Sequence, residues 1–520
     1  MKLPHALLPV FLCPVLVSAQ TIFVQPYVQP GNASRLDGSD VRVLTWITDP
    51  LPAEFTVEYR IKNQLPKNAV VEKTALDFPK YSGPAKPASS EPLKNSPTPT
   101  PESAPKSPPP AAFSLDDLKQ SIIQSFSAIP EKEQHYIRYR AVLPDLPLDS
   151  TVEWSVRMGE KTIRSASVKT RSSARRPVRF AAVGDMASNR PEAFRVSYEI
   201  DRAKPDFLIA LGDIVYPGGR ALQYFNHFFP VYNDVKTASP QTGAPLMASV
   251  PIYPVIGNHD TESQKLPLYP DAYSCFYWFS VPQNGPGKGP WNVPLGPQED
   301  VANAFRRMAD KEYPSMQFYS FDCGAGHFLV LDANSYALNA IDGLLPWIER
   351  DLMNSTQPWK IVCFHQPAFH TSKEHYTEQR MRLLQPLFER ARVDLVLAGH
   401  VHNYQRSFPL RFQPAPEGRD KRGRVNGTLS LDTTFDGQSN TRPEGVIHVV
   451  SGGGGARLYS VDLQKTIDFL QKEHPENYQP LTAKYAAEHG FTLIDMTPDT
   501  LEVRQINAEG KPIDHFKMTK

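Results

Sequence analysis

The segment Val393 to Arg406, V-D-L-V-L-A-G-H-V-H-N-Y-Q-R, carries an apolar run up to a glycine and then presents two imidazoles, His400 and His402, one residue apart. Residues i and i+2 of an extended segment point to the same side, so each imidazole can serve one ion. Two histidines on one face are costly to bury without partners. Four other apolar runs end in polar residues of the kind that bind metal: V-R-F-A-A-V-G-D, D-F-L-I-A-L-G-D-I-V-Y, P-I-Y-P-V-I-G-N-H-D and K-I-V-C-F-H. Together the five supply Asp185, Asp213, Tyr216, Asn258, His365, His400 and His402. Imidazole with oxygen donors suits iron, zinc or manganese, and a phenolate suits a hard ferric ion. Seven ligands exceed what one ion takes, but one bridging carboxylate turns them into two sets of four. Two metals about 3.5 to 4 Å apart form the clamp that holds the attacking and leaving oxygens of phosphoryl transfer.

Such residues meet only if the runs are neighbouring strands. Near-continuous apolar runs are what strands buried on both faces look like, and in open α/β sheets the site lies beyond their carboxyl ends. From Arg176 on, these runs alternate with helix-like segments, the pattern of an α/β domain over residues 176–520. A last run, G-V-I-H-V-V-S-G-G-G-G-A, lacks the G-K-S or G-K-T of a nucleotide loop, so Gly452 to Gly455 are read as a turn passing close to other backbone. Before Arg176 the pattern has period two, as in V-R-V-L-T-W-I-T, A-E-F-T-V-E-Y-R-I and T-V-E-W-S-V-R-M, which predicts a small β-sandwich over residues 20–175. Within it, at about residues 80–112, lies a proline-rich, aromatic-poor stretch too poor in apolar surface to fold, expected as a disordered loop insertion.

With 56 basic and 55 acidic residues the formal net charge is +1, which argues against a nucleic-acid partner. The opening residues 1–19 have one lysine, a short apolar stretch and a V-S-A ending, and are read as a secretory signal peptide. No later apolar run approaches the roughly 18 residues of a membrane helix, so the expected mature protein is secreted, with no membrane partner. Beyond the signal three cysteines remain, Cys275, Cys323 and Cys363, enough for at most one internal disulfide. N-glycans are possible at Asn32, Asn354 and Asn426, each opening an acceptor triplet.

The motifs G-D, G-D-I-V-Y, G-N-H-D, V-C-F-H and G-H-V-H resemble those of the purple acid phosphatases, the tyrosinate-iron branch of the calcineurin-like metallophosphoesterases. The resemblance extends to Y-S-F-D-C-G-A-G-H-F-L-V-L-D and H-G-F-T-L-I-D-M, and the N-terminal sandwich looks like the fibronectin-like domain of the larger members. It implies a fibronectin-like sandwich followed by a metallophosphoesterase domain of two β-sheets between helices. It further implies ferric iron on Asp185, Asp213, Tyr216 and His402, and a divalent zinc, manganese or iron on Asp213, Asn258, His365 and His400, with Asp213 as the bridge. Histidines contacting the phosphate map to His259 and to His375, with His370 a rival in the same loop. Two departures stand out: Met186 and Ala187 follow Asp185 where the family has G-D-x-G, and Asp260 ends the third motif where glutamate is common.

The implied activity is a secreted acid phosphatase that hydrolyses phosphate monoesters, hydroxide from metal-bound water attacking phosphorus and the two histidines stabilising charge and protonating the leaving group. A phosphodiesterase or nucleotide pyrophosphatase shares most of these ligands and is the alternative. A secreted binding protein on the same scaffold is the alternative from another class. The natural substrate stays open among monoesters, phytate and nucleotides, which present the same group to the metals.

Overall fold

The computed structural model describes residues 20–78, 134–233, 237–261 and 271–520; the expected signal peptide and proline-rich insertion lie outside them. Alternation makes the first strands: Phe55–Ile61, F-T-V-E-Y-R-I, buries every second side chain. Among the described residues, eight strands form two antiparallel sheets. One has the order β1 (Ile22–Gln29), β2 (Ser39–Thr48), β6 (Gln134–Pro147), β5 (Val71–Phe78); the other runs β4 (Lys67–Ala69), β3 (Phe55–Ile61), β7 (Thr151–Met158), β8 (Lys161–Lys169). Between them Trp46 lies flat on Tyr139 at 5.5 Å and Phe55 meets that tyrosine edge-on at 4.7 Å, with Val57, Trp154 and Val156 filling the rest. This is the expected sandwich. Buried groups tie it to the α/β region: Arg171, paired with Asp40, donates to the Asp322 carbonyl at 3.0 Å, and Tyr27 donates its hydroxyl to the Trp278 carbonyl at 2.6 Å.

The remaining residues build two mixed sheets packed face to face. The six-stranded one is ordered β11 (Ile252–Pro254), β10 (Phe207–Ala210), β9 (Val178–Val183), β21 (Gly490–Met496), β22 (Thr500–Asn507), β23 (Pro512–Thr519). The seven-stranded one is ordered β12 (Phe318–Cys323), β13 (Gly326–Leu331), β14 (Trp359–Cys363), β15 (Leu395–Ala398), β19 (Ile447–Ser451), β16 (Tyr404–Ser407), β20 (Thr482–Ala486). Aromatic side chains fill the space between the sheets: Phe180 meets Phe328 at 5.2 Å, and Phe207 meets Phe321 at 5.7 Å, both edge-on as ring quadrupoles prefer. Outer faces take helices, among them Pro191–Ala203 and Ile341–Asn354. In the first sheet β9, β10 and β11 run parallel, and in the second β13, β14, β15 and β19 do. The carboxyl ends of β9, β10, β11, β14 and β15 are where the five motifs leave the sheets. A hairpin, β17 (Leu410–Arg419) with β18 (Val425–Leu431), comes after β16 and stands apart from both sheets.

The core of the second sheet also encloses two neutral histidines. His448 on β19 has its Nε2 at 3.0 Å from Gln385 Oε1 and its ring against Phe369, while burial, helped by the nearby Arg382 cation, pulls it down to about 3. His370 is held down to about 3 by the same two causes. An ordinary histidine takes its proton near 6.5. In the window between, the unfolded chain binds protons that the folded chain refuses, so stability falls as pH drops below about 6.5. Each such histidine contributes on the order of 2 to 3 kcal/mol of loss between pH 6.5 and 4.5. Denaturant unfolding at those two pH values should therefore show a smaller loss for His448→Gln than for the wild-type chain; an equal loss would place the acid sensitivity elsewhere.

Candidate metal centre

The strand ends converge because glycines let backbone segments touch. Gly212 has φ +86°, and a Cβ there would come within 2.5 Å of the His365 ring; a Cβ on Gly257 would lie 2.2 Å from the Asp213 amide nitrogen. Three of the metal-binding candidates leave their strands in the left-handed region, Asp185 at φ +60°, Asp213 at +49° and His400 at +68°. Backbone of that kind persists only where its surroundings hold it, and it gathers at functional sites. Here hydrogen bonds hold it: the His400 N–H donates to Asp185 Oδ2 at 2.7 Å, and the His259 N–H donates to Asp213 Oδ1 at 2.8 Å. They also account for Met186 and Ala187. Both amides donate into the next motif, to the carbonyls of Asp213 and Ile214, so the chain after Asp185 is zipped in place without a second glycine. Gly454 and Gly452 make the close approach expected of them, against Gly184 and Val401 carbonyls.

Two groups of side chains result. In the first, the Tyr216 phenolic oxygen lies 2.9 Å from Asp185 Oδ1, 3.0 Å from Asp213 Oδ2 and 3.1 Å from His402 Nε2. His402 donates its other nitrogen to the Arg457 carbonyl at 2.7 Å, which turns Nε2 inward as an acceptor. With His402 neutral, one phenolic proton faces three acceptors. Burial and the two carboxylates push that phenol well above its usual range, so it ionises here only against a cation.

In the second group, His365 Nε2 lies 3.2 Å from Asp213 Oδ1 and 3.3 Å from His400 Nδ1. His365 donates Nδ1–H to the Leu211 carbonyl at 2.7 Å, and His400 has its Nε2 at 3.1 Å from Glu378. In the neutral tautomers those bonds set, the nitrogens that face each other are both lone pairs, beside a carboxylate. Asp213, His365 and His400 offer ligand atoms all within 4.8 Å of one another. Burial opposes charge on both, yet Asp213 is held below the usual carboxylate range by His365 and His259, and His365 is drawn up to about 10 by Asp213. A pocket this electronegative takes up protons or metal cations. Asn258 is exposed, next in the chain to His259, whose amide meets Asp213.

Residues 178–404 match the calcineurin-like phosphoesterase family. Over 248 residues the chain is 29% identical to purple acid phosphatase 23 of Arabidopsis thaliana, covering 44% of this chain and 48% of the relative. A nucleotide pyrophosphatase/phosphodiesterase of Hordeum vulgare is 26% identical over 369 residues, 65% of this chain and 83% of that one. A purple acid phosphatase from yellow lupin (Lupinus luteus) seeds superimposes with a TM-score of 0.57 over 95% of this chain and 74% of its own, at 17% identity, a likeness of fold. Residues 178–404 thus form a calcineurin-like phosphoesterase domain, similar to those of the purple acid phosphatases. The chain spans about half the length of the Arabidopsis relative. Metallophosphoesterases of this type use a binuclear metal centre, and the two groups of donors fit one.

Around a metal site the residues behind the ligands matter as much as the ligands. His259 donates Nδ1–H to the Pro217 carbonyl at 2.6 Å, which leaves Nε2 3.9 Å from Asp213. His375 lies against His400, ring centroids 3.9 Å apart, whereas its rival His370 is buried against Tyr376. Asp260 never reaches the donors. Its carboxylate accepts the Ile214 and Gly257 amides at 2.9 Å each, clamping the second motif to the third. A longer glutamate would have to reach those amides from another position.

Three residues have roles that the sequence patterns do not reveal. Asp260 stands out there only as a departure from the family motif. Tyr459 lies flat on His402 at 3.9 Å, and nothing near it in the chain resembles a motif. Glu378, three residues after His375, takes His375 Nδ1 at 2.7 Å and His400 Nε2 at 3.1 Å; that spacing is the one signal the chain offers. Although burial opposes its charge, those two imidazoles hold its carboxyl well below the usual range. Glu378→Ala removes the acceptor that fixes His400, and should weaken divalent-cation binding about 10- to 100-fold by calorimetric titration. Glu378→Gln, which keeps one acceptor, should lose less. Equal affinity in all three proteins would mean that His400 is oriented without it.

Proposed function

We propose that this protein is a secreted binuclear-metal acid phosphatase that hydrolyses phosphate monoesters. The observation that carries the reading is Tyr216, whose phenolic oxygen lies between Asp185, Asp213 and His402. That donor set suits a ferric ion. Asp185, Asp213, Tyr216 and His402 would hold it, and Asp213, Asn258, His365 and His400 would hold zinc, manganese or ferrous iron. When bound, the metal pair would acidify a coordinated water and offset charge on the phosphoryl group.

The chain's own residues do the rest. Backbone carbonyls of Leu211 and Arg457 fix the tautomers of His365 and His402, so their lone pairs are set before substrate arrives. His259 lies beside Asp213 and His375 against His400. From there they would donate to phosphoryl oxygens and pass a proton to the leaving alkoxide. Secretion rests on the leader-like residues 1–19, and Asn32 and Asn354 are exposed as glycan acceptors must be. A phosphodiesterase or nucleotide pyrophosphatase reading keeps the same site, and the length of barley relative that the chain covers supports it.

The purified, metal-loaded protein should release phosphate from an aryl phosphate monoester at acidic pH at least tenfold faster than it releases the aryl alcohol from the matching diester. Preference for the diester would shift the reading to the second activity. Asp213→Asn should lose occupancy of both metals together and fall more than roughly 100-fold in turnover. The iron-loaded wild-type chain should show a visible charge-transfer band that Tyr216→Phe abolishes; an unchanged band in that variant would remove Tyr216 from the iron set.

A further inference from the structure

Beside the candidate metal centre opens a cavity of about 440 Å³, the size of a small-molecule site. Two of its lining residues belong to the centre's surroundings: Gln366 follows His365, and Glu378 contacts His400. The others that matter are cations. Arg380 comes from the loop beyond His375, and Arg419, Lys421 and Arg422 come from the tip of the β17–β18 hairpin. Among the described residues no carboxylate lies within ion-pair distance of any of the four. Burial first, and then the neighbouring Arg419, depress the Arg380 guanidinium, while Glu378 opposes them. The cavity's one acid, Glu378, is already engaged by two imidazoles. In a chain whose net charge is +1, this is local enrichment.

The hairpin tip is built to stay there. Gly423 adopts φ +90°, and its approach to the Thr377 carbonyl would bring a Cβ within 2.6 Å. Asp420 accepts the Arg422 and Arg424 amides at 2.8 and 2.9 Å and pairs with the Arg424 side chain at 2.7 Å, holding the turn while Lys421 and Arg422 project from it. Gln366 adds a second, independent sign. It is 7% exposed, its Nε2 donates to Asn334 at 3.0 Å, and its Oε1 has no hydrogen-bond partner. A buried carboxamide oxygen without a donor is costly unless a ligand hydroxyl or water meets it.

We infer that this cavity is a subsite for a second phosphate, and that the substrates are organic phosphates carrying more than one phosphoryl group. The inference rests on the phosphatase reading of the adjoining centre. One phosphoryl group lies at the metals while another is held by Arg380, Arg419, Lys421 and Arg422, and Gln366 accepts from a hydroxyl of the substrate. Guanidinium groups suit phosphate oxygens because their paired N–H groups match them in geometry and charge.

The test compares kcat/KM within two matched pairs, ADP against AMP and inositol hexakisphosphate against glycerol 2-phosphate, with an aryl phosphate as reference. The wild-type chain should favour the multiply phosphorylated member of at least one pair by tenfold or more. The triple variant Arg419→Ser, Lys421→Ser, Arg422→Ser, all exposed side chains, should lose most of that ratio. Preference confined to the ADP pair assigns the subsite to phosphoanhydrides; preference confined to the inositol pair assigns it to polyol phosphates. A ratio near one in the wild-type chain, or one that the variant leaves intact, overturns the inference. If the aryl ester is not turned over at all, the phosphatase reading has failed, and calorimetric binding of inositol hexakisphosphate decides the cavity by itself: a tenfold weaker affinity in the triple variant supports it, equal affinity overturns it.

Discussion

Two carboxylates, Asp185 and Asp213, are buried within reach of one phenol, and most of the structure around them exists to make that tolerable. Removing a carboxylate from water is expensive unless hydrogen bonds and opposite charge replace the lost hydration. Backbone amides supply part: His400 to Asp185 and His259 to Asp213. His365, drawn toward its protonated form by Asp213, supplies opposite charge, while Leu211, Arg457 and Glu378 engage the outer nitrogens of His365, His402 and His400. Those arrangements make sense together when cations occupy the middle.

Satisfying this constraint explains the backbone. Left-handed conformations at Asp185, Asp213 and His400, and the glycine contacts at Gly212 and Gly257, are locally unfavourable. They are carried by rigid strands on the two sheets, whose aromatic interface leaves little freedom to relax. Asp260 is part of the same solution. Burial and the neighbouring Asp213 raise it to about 7, yet it is the clamp between two motifs rather than a donor.

How much of this can be read from the chain depends on how far apart the interacting residues lie. Each proposed ligand comes within a few residues of the end of its own strand, so the strand pattern and the ligand are visible in one window. The alternation in β3 and β7 likewise announces the sandwich. Pairing does not announce itself: β9 takes β21 as its neighbour, about 300 residues on, and nothing local says so. Glu378 and Tyr459 are invisible as partners for the same reason, since each acts on a histidine delivered by another strand. The cationic cavity needs a hairpin tip to fold back some 40 residues onto the loop after His375, which no motif records.

That fold-back joins two properties with different tolerance to change. Residues 375–380 carry His375, Glu378 and Arg380, so substitution there disturbs the imidazoles of the candidate metal centre as well as the cavity floor. The tip residues Lys421 and Arg422 touch neither histidine, and the Asp420 turn that presents them is closed by its own hydrogen bonds. Charge at the tip can therefore vary while the strained strand ends, with their buried carboxylates, stay fixed. A scaffold arranged this way separates the chemistry of the phosphoryl group from the choice of what is attached to it. The first is set by distances of about 3 Å among buried groups. Coulomb attraction from exposed cations sets the second, and it acts over several ångströms without exact geometry.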